Sequence, residues 1–234
     1  MGRDTKVNAR KLKEVNYILV RFACKRQLRV RRFLVPGLFA GMIGEMKLVV
    51  AITGASGSLY AQRLLQVLND DPARPHEVHV ALSGHAREVA EAEVGKLAIP
   101  DGFPVHGDTS MRVPYVSGSA RFDAMVIIPC SMGTLGRIAH GYSDSAIIRA
   151  ADVFLKEKRK LILVPRETPW NLVQARNVVT LLEAGADVIP AIPSFYHRPQ
   201  TVLDVVDTVV ARVLDHLGLE HALCKRWMEA RIED

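Results

Sequence analysis

The sequence predicts an α/β fold in which a parallel sheet is covered by helices on both faces. Three observations predict it. From residue 47 onward, short apolar, β-branched runs alternate with amphipathic helical patterns. The runs are apolar along their whole length, as strands buried on both faces are. Each run breaks into small, polar or proline residues before the next helix pattern opens, and in parallel sheets such turns share the edge where ligands bind.

Each element has its own signal. Lys47 to Ile52 is the first strand, and Leu59, Leu64, Leu65 and Leu68 mark one face of the helix after it. Glu77 to Leu82 is the second strand, ended by Ser83 and Gly84, which can cap a helix that reaches about Leu97. Ile99 to Ser119 is rich in Pro, Gly and polar residues and predicts a long loop with a short strand. Ala124 to Ile128 is the third strand, stopped by Pro129, and Ser131 to Thr134 opens a helix. Ser145 to Lys156 is helical, with Ala146, Ile147, Ala150, Val153 and Phe154 on one face. Leu161 to Val164 is a strand stopped by Pro165, followed by a helix over Asn171 to Ala184 and a short strand over Asp187 to Ile189. Pro190 to Pro199 is an irregular loop before a long amphipathic helix over Thr201 to Leu217.

The most informative stretch is Lys47 to Ser58. A strand, a turn of small residues (Thr53 to Ser58) and a helix start make an anion site, because backbone N–H groups and the positive end of the helix dipole face the turn. Ser56 and Leu59 stand where a Gly-x-Gly-x-x-Gly fingerprint would need glycine, and no Gly-Lys-Ser/Thr of a P-loop follows. Pro129-Cys-Ser-Met-Gly-Thr134 is a second turn of the same kind, with two hydroxyls at a helix start. Cys130 has no evident base nearby and is a poor nucleophile candidate. Pro165-Arg-Glu-Thr-Pro169 sets a cation beside an acid at a strand end. Pro193 to Pro199 is stiffened by prolines and carries Phe195 and Tyr196, aromatics suited to closing over a planar or apolar ligand or to plugging the core.

Composition narrows the class. The chain has 234 residues, 49% of them hydrophobic, which suits one domain with a full core. Cys24, Cys130 and Cys224 lie far apart, so neither a disulfide framework nor a metal site is supported, and a reducing cytoplasm is the expected setting. No apolar run approaches the roughly 20 residues of a membrane helix. Residues 1–45 hold eleven Lys or Arg against three acids, a net +8, so the remaining 20 basic and 22 acidic residues give the body −2. The whole-chain excess of base is therefore no sign of a nucleic-acid partner. This leader reads as an upstream mis-assigned start with Met46 the true first residue, as a targeting segment, or as a disordered basic tail. The fold is expected to begin near Met46 and reach residue 228, with 229–234 a tail.

Taken in order, these segments resemble one family. They are Thr53-Gly-Ala-Ser-Gly57, Pro129-Cys-Ser-Met-Gly-Thr134, Arg149-Ala-Ala-Asp-Val153, Leu155-Lys-Glu-Lys-Arg159, Val164-Pro-Arg-Glu-Thr-Pro169, Phe195-Tyr-His-Arg-Pro199, Asp204 to Arg212, and Arg226-Trp227. Together they are similar to the UbiX-type flavin prenyltransferases, within the FMN-binding flavodoxin-like Cys-decarboxylase superfamily. The resemblance implies a flavodoxin-like three-layer fold. It implies an enzyme that joins a dimethylallyl group from dimethylallyl phosphate to N5 and C6 of reduced FMN, without a metal. The prenylated FMN would go to a UbiD-type decarboxylase, and the chain would assemble as a homo-oligomer, a dodecamer, with sites at subunit contacts.

The resemblance also assigns residues. Gly54, Ala55, Ser56, Ser83, Ser131, Met132, Gly133, Thr134 and Arg166 would hold FMN. Lys156, Tyr196 and Arg212 would join Arg166 in neutralising the leaving phosphate, with Arg149 nearby, as charge stabilisation at a leaving group requires. Glu167 would be the acid or base, Ser56 a relay beside the flavin, and Glu93 a further acid. Ser117-Gly-Ser119 would lie near the prenyl pocket, with Trp227 as its wall. Two alternatives differ in class. An FMN-dependent decarboxylase would need a catalytic histidine, for which His85 is the nearest candidate, yet the Pro-x-Met-Asn-x-x-Met-Trp motif of the cysteine decarboxylases is absent. A non-catalytic flavin carrier would tolerate loss of Lys156, Glu167 and Arg212.

Overall fold

The computed structural model describes residues 46–71, 77–224 and 226. The expectations for the leader, for Trp227 and for the tail lie outside these residues. The elements are β1 (Lys47–Ile52), α1 (Ser58–Asp70), β2 (Glu77–Leu82), α2 (Ala86–Val94), β3 (Val105–Gly107), a 3-10 turn (Pro114–Val116), β4 (Ala124–Cys130), α3 (Met132–Ala139), α4 (Ala146–Lys156), β5 (Lys160–Pro165), α5 (Leu172–Glu183), β6 (Asp187–Val188) and α6 (Val202–Leu217). All pairings are parallel, in the order β3-β2-β1-β4-β5-β6. Apart from the three-residue edge strand β3, the order is that of a flavodoxin-like sheet, with the direction of winding reversing between β1 and β4.

Strand alternation divides the core in two. Leu48, Val50 and Ile52 face one layer with Leu64, Leu65, Leu68, Val209 and Val213 of α1 and α6. Val49 and Ala51 face the other with Leu135 of α3 and Ile147, Ala150 and Phe154 of α4. This is the three-layer architecture the sequence predicts. A side-chain fork crosses the first layer: Arg63 on α1 donates through Nε and Nη2 to the two carboxylate oxygens of Asp207 on α6, at 2.6 and 2.9 Å. It fixes α6, which carries Arg212, against α1.

The structure revises several boundaries. Pro129 does not stop its strand, whereas β5 does end at Pro165, which it includes. β4 continues through the cis Ile128–Pro129 bond to Cys130, which pairs with Pro165 after a register shift. A proline forfeits only its N–H, and the Pro165 carbonyl still accepts from Ala191 N–H at 2.9 Å. The helix after β2 ends at Val94 rather than near Leu97, because Gly95 turns the chain at φ 71. Leu97 and Ile99 then pack on the core from irregular backbone. Ser131, Ser145, Asn171 and Thr201 each accept a backbone N–H with the side chain, the last two within full capping boxes, whereas the N-cap of α2 is His85 rather than Ser83 or Gly84 and makes no side-chain cap bond.

Candidate functional site

The carboxyl ends of the parallel strands meet at one edge, and the turn after β1 is its centre. Gly57 caps α1 in the left-handed region at φ 118, a conformation suited to glycine. Gly54 is held close to the turn after β2, where an added Cβ would lie 2.6 Å from the Cβ of His85. The sequence predicts N–H groups open to an outside anion at the start of α1, but those of Gly57 and Ser58 are already engaged. Glu93 on α2 takes them: its carboxylate accepts from Gly57 N–H at 2.9 Å and from Ser58 N–H at 2.8 Å. Partial burial pushes the Glu93 carboxyl up, but the Ser56 side chain and the Gly57 and Ser58 N–H groups together outweigh it and hold the group below the ordinary range. Glu93 is therefore a carboxylate at the positive end of a helix dipole.

The turn after β4 is stapled to this one. Thr53, 2% exposed, donates its hydroxyl to the Pro129 carbonyl at 2.8 Å and accepts from Ser131 N–H at 2.8 Å. Ser131 in turn accepts from Thr134 N–H at 3.2 Å and donates its hydroxyl to Thr134 Oγ1 at 3.0 Å. The Met132 and Gly133 N–H groups come too early in α3 for an intrahelical partner and are the donors it offers. Met132 and Ala55 are themselves buried. Burial pushes the Cys130 thiol up to about 12, which agrees with an inert, structural cysteine. From β5, Arg166 Nε donates to the Ser56 carbonyl at 3.0 Å. The turns after β1, β4 and β5 are thus one hydrogen-bonded unit.

Beside it lies a cleft of ≈ 210 Å³ that gathers Gly54, Ser83, Ser131 and Thr134. Asp108, Arg137 and Asp144 also line it, and sequence reasoning missed all three. Asp108 follows β3 within a polar stretch that has no periodicity. Burial, then the nearby Asp144, raise its carboxyl above the ordinary range. His85 lines the same cleft but is exposed, 3.4 Å from Glu88. Glu167 is exposed on its loop, its side chain accepting from Thr168 N–H at 3.0 Å.

The predicted phosphate-binding cations do not all meet. Tyr196 and Arg212 share a second pocket of ≈ 160 Å³ with Asp215, His221 and Arg226. Arg149 and Lys156 line neither cleft. Both sit on α4, Arg149 bound to Asp152 at 2.9 Å and Lys156 3.8 Å from Glu157. Glu157 also touches Gly118, and Arg159 donates to the Gly118 and Ala120 carbonyls. The loop Ser117–Ser119 is therefore close to the Lys156–Glu157 pair.

Residues 40–214 match the model of the Flavoprotein family. The flavin prenyltransferase UbiX of Methanocaldococcus jannaschii is 44% identical over 189 residues, which cover 78% of this chain and 98% of that protein. The chain belongs to the UbiX flavin prenyltransferase family. Among solved members and neighbours, a dodecameric FMN-dependent UbiX-like decarboxylase from Escherichia coli O157:H7 aligns with a TM-score of 0.73 at 43% identity, over 78% of this chain and 99% of that one. AnUbiX (PadA1), in complex with FMN and dimethylallyl pyrophosphate, aligns with a TM-score of 0.72 at 36% identity, over 78% of this chain and 97% of that one. No helix among the described residues is long and apolar enough to cross a membrane.

Proposed function

We propose that this chain joins the dimethylallyl group of dimethylallyl phosphate to N5 and C6 of reduced FMN, and that a UbiD-type decarboxylase receives the prenylated product. The observation that carries the reading is the Ser56–Glu93–Arg166 cluster beside a cleft lined by the hydroxyls of Ser83, Ser131 and Thr134, in a chain of this family. The residues fit FMN. Gly54 leaves backbone exposed where a side chain would clash, and hydroxyls with helix-start N–H groups suit a phosphate monoester. Gly54, Ala55, Ser56, Ser83, Ser131, Met132, Gly133, Thr134 and Arg166 would hold it. Reduced FMN supplies the nucleophilic nitrogen and carbon.

The chain's own groups do the rest. Ser56, kept in place by the Glu93 carboxylate, orients at the reacting edge and relays protons. As the allylic C–O bond breaks, Arg166, Tyr196 and Arg212 take up the charge of the departing phosphate. Glu167 protonates that phosphate. Arg149, Lys156 and Trp227 are assigned to the same donor pocket. The separation of Lys156 and Arg149 from the Tyr196 pocket within one chain supports completion of the site at subunit contacts, and the dodecameric assembly of a 43% identical neighbour is consistent with that. We assign the chain to the cytoplasm.

The test uses the full chain with FMN, dithionite and dimethylallyl phosphate in the absence of air, followed by the mass of the extracted flavin. A gain of one five-carbon unit, abolished in Glu167→Gln, is the expected result. Unmodified FMN from folded, flavin-loaded protein overturns the reading in favour of direct decarboxylation or flavin carriage.

A further inference from the structure

The second pocket contains a carboxylate to which the reaction assigns no part. Asp215 lies one turn beyond Arg212 on α6, and the i, i+3 spacing puts both on one helix face. Its two oxygens divide the neighbouring cations. Oδ2 accepts from Arg212 Nη1 at 3.1 Å, while Oδ1 accepts from Arg226 Nη2 at 3.0 Å and faces His221 Nε2 at 3.3 Å. The arginine side chains are 63% and 53% exposed, whereas that of His221 is only 4% exposed. Two flexible, solvated guanidinium groups are thus gathered by one half-buried carboxylate that is braced from behind by a buried imidazole. Partial burial pushes the Asp215 carboxyl up, but Arg226 and His221 together hold it below the ordinary range, so it is ionised whenever the arginines need a partner.

We propose that Asp215 is a positioning residue for phosphate recognition, holding Arg212 and Arg226 side by side at the mouth of the Tyr196 pocket. Holding both forks in advance removes rotamer freedom that binding would otherwise have to freeze. Arg226 comes from the segment after α6, so Asp215 also brings a remote cation to the pocket. The inference rests on the reading that this pocket takes the phosphate of the prenyl donor.

The test compares wild type, Asp215→Asn and Asp215→Glu as flavin-loaded full chains. Two measurements are made: steady-state prenyl transfer with dimethylallyl phosphate, and calorimetric titration with inorganic phosphate. Asp215→Asn should raise the KM for the donor and the phosphate Kd about ten-fold, the loss typical of one charge-assisted hydrogen bond. Its kcat should stay within about two-fold and its FMN affinity should not change. Asp215→Glu, which keeps the charge, should recover part of the loss. An unchanged donor KM overturns the inference, as does an equal fall in FMN affinity, which would mark a merely structural role. If wild type forms no prenylated flavin, the functional reading falls. The phosphate titration, which needs no turnover, then decides by itself: equal affinities in wild type and Asp215→Asn overturn the role of Asp215, and a ten-fold difference supports it.

Discussion

Ser58 donates its backbone N–H to Glu93 Oε2 at 2.8 Å, across 35 positions of sequence. This bond and its neighbour from Gly57 make a side chain of α2 the N-terminal cap of α1. The helix start that would otherwise attract an external anion carries an internal one, fixed beside Ser56. Replacing Glu93 by Gln keeps the shape and one acceptor but removes the charge. The expected stability loss is about 1 kcal/mol, the worth of a charge at a helix end. Prenyl transfer should fall about 100-fold if the carboxylate orients the Ser56 proton, a loss within the usual range for acid–base groups. Chemical denaturation and single-turnover flavin mass measurements would separate the two effects.

Thr53→Val should be costly despite equal shape. The hydroxyl is fully enclosed and uses both its donor and its acceptor capacity, so valine leaves the Pro129 carbonyl and the Ser131 N–H without that partner. The Pro129 carbonyl keeps its bond from the residue 53 backbone N–H at 3.2 Å, so the expected loss is about 1–3 kcal/mol, for the Ser131 N–H alone. Because the bond joins the two turns assigned to FMN, flavin affinity should fall as well, while Thr53→Ser should keep most of both. Melting temperature and flavin fluorescence titration check the pair.

Gly54→Ala should spare the fold and damage flavin binding. The added methyl would lie 2.6 Å from the Cβ of His85, which cannot rotate away, so the two turns have to move apart. The effect expected is a weaker FMN complex with a melting temperature close to that of wild type. Wild-type FMN affinity in this variant would show that the turn is slack.

The sheet edge should respond to acid. His79 Nδ1 lies 2.9 Å from His106 Nε2, and His79 Nε2 lies 2.7 Å from Glu77 Oε1, while Glu77 Oε2 pairs with Lys47. Burial, then the adjacent His79, depress the His106 pKa below its ordinary 6.5. The unfolded chain therefore takes up this proton first as pH falls. The stability contribution is complete above about 6.5 and is lost progressively below it. His106→Gln should flatten the melting-temperature profile between pH 7 and pH 5, roughly the window in which an unperturbed histidine titrates. A profile identical to that of wild type would remove His106 from the account.

Much of this was legible in one dimension. The alternation of apolar runs with helical periodicity gave the strand and helix sequence, and the apolar runs implied burial on both faces. The polar cap at Ser131 could be read because capping is a local interaction. The boundary at Pro129 was misjudged because pairing with a neighbouring strand sustains an extended chain that local rules would end. Asp108, Arg137 and Asp144 were not legible, since nothing in their sequence neighbourhoods distinguishes a cleft wall from a solvated loop.

The sequence by itself determined the fold class, the family and which turns lie at one sheet edge, because periodicity and motif spacing are properties of the chain. Only the tertiary structure decided which groups meet. It gave the start of α1 to Glu93, joined the β1 and β4 turns through Thr53, and set Arg212 with Arg226 around Asp215. It also kept Lys156 and Arg149 in a different place. Those partnerships depend on distances between residues far apart in sequence, which the packing of helices on both faces of the sheet fixes and no local pattern encodes.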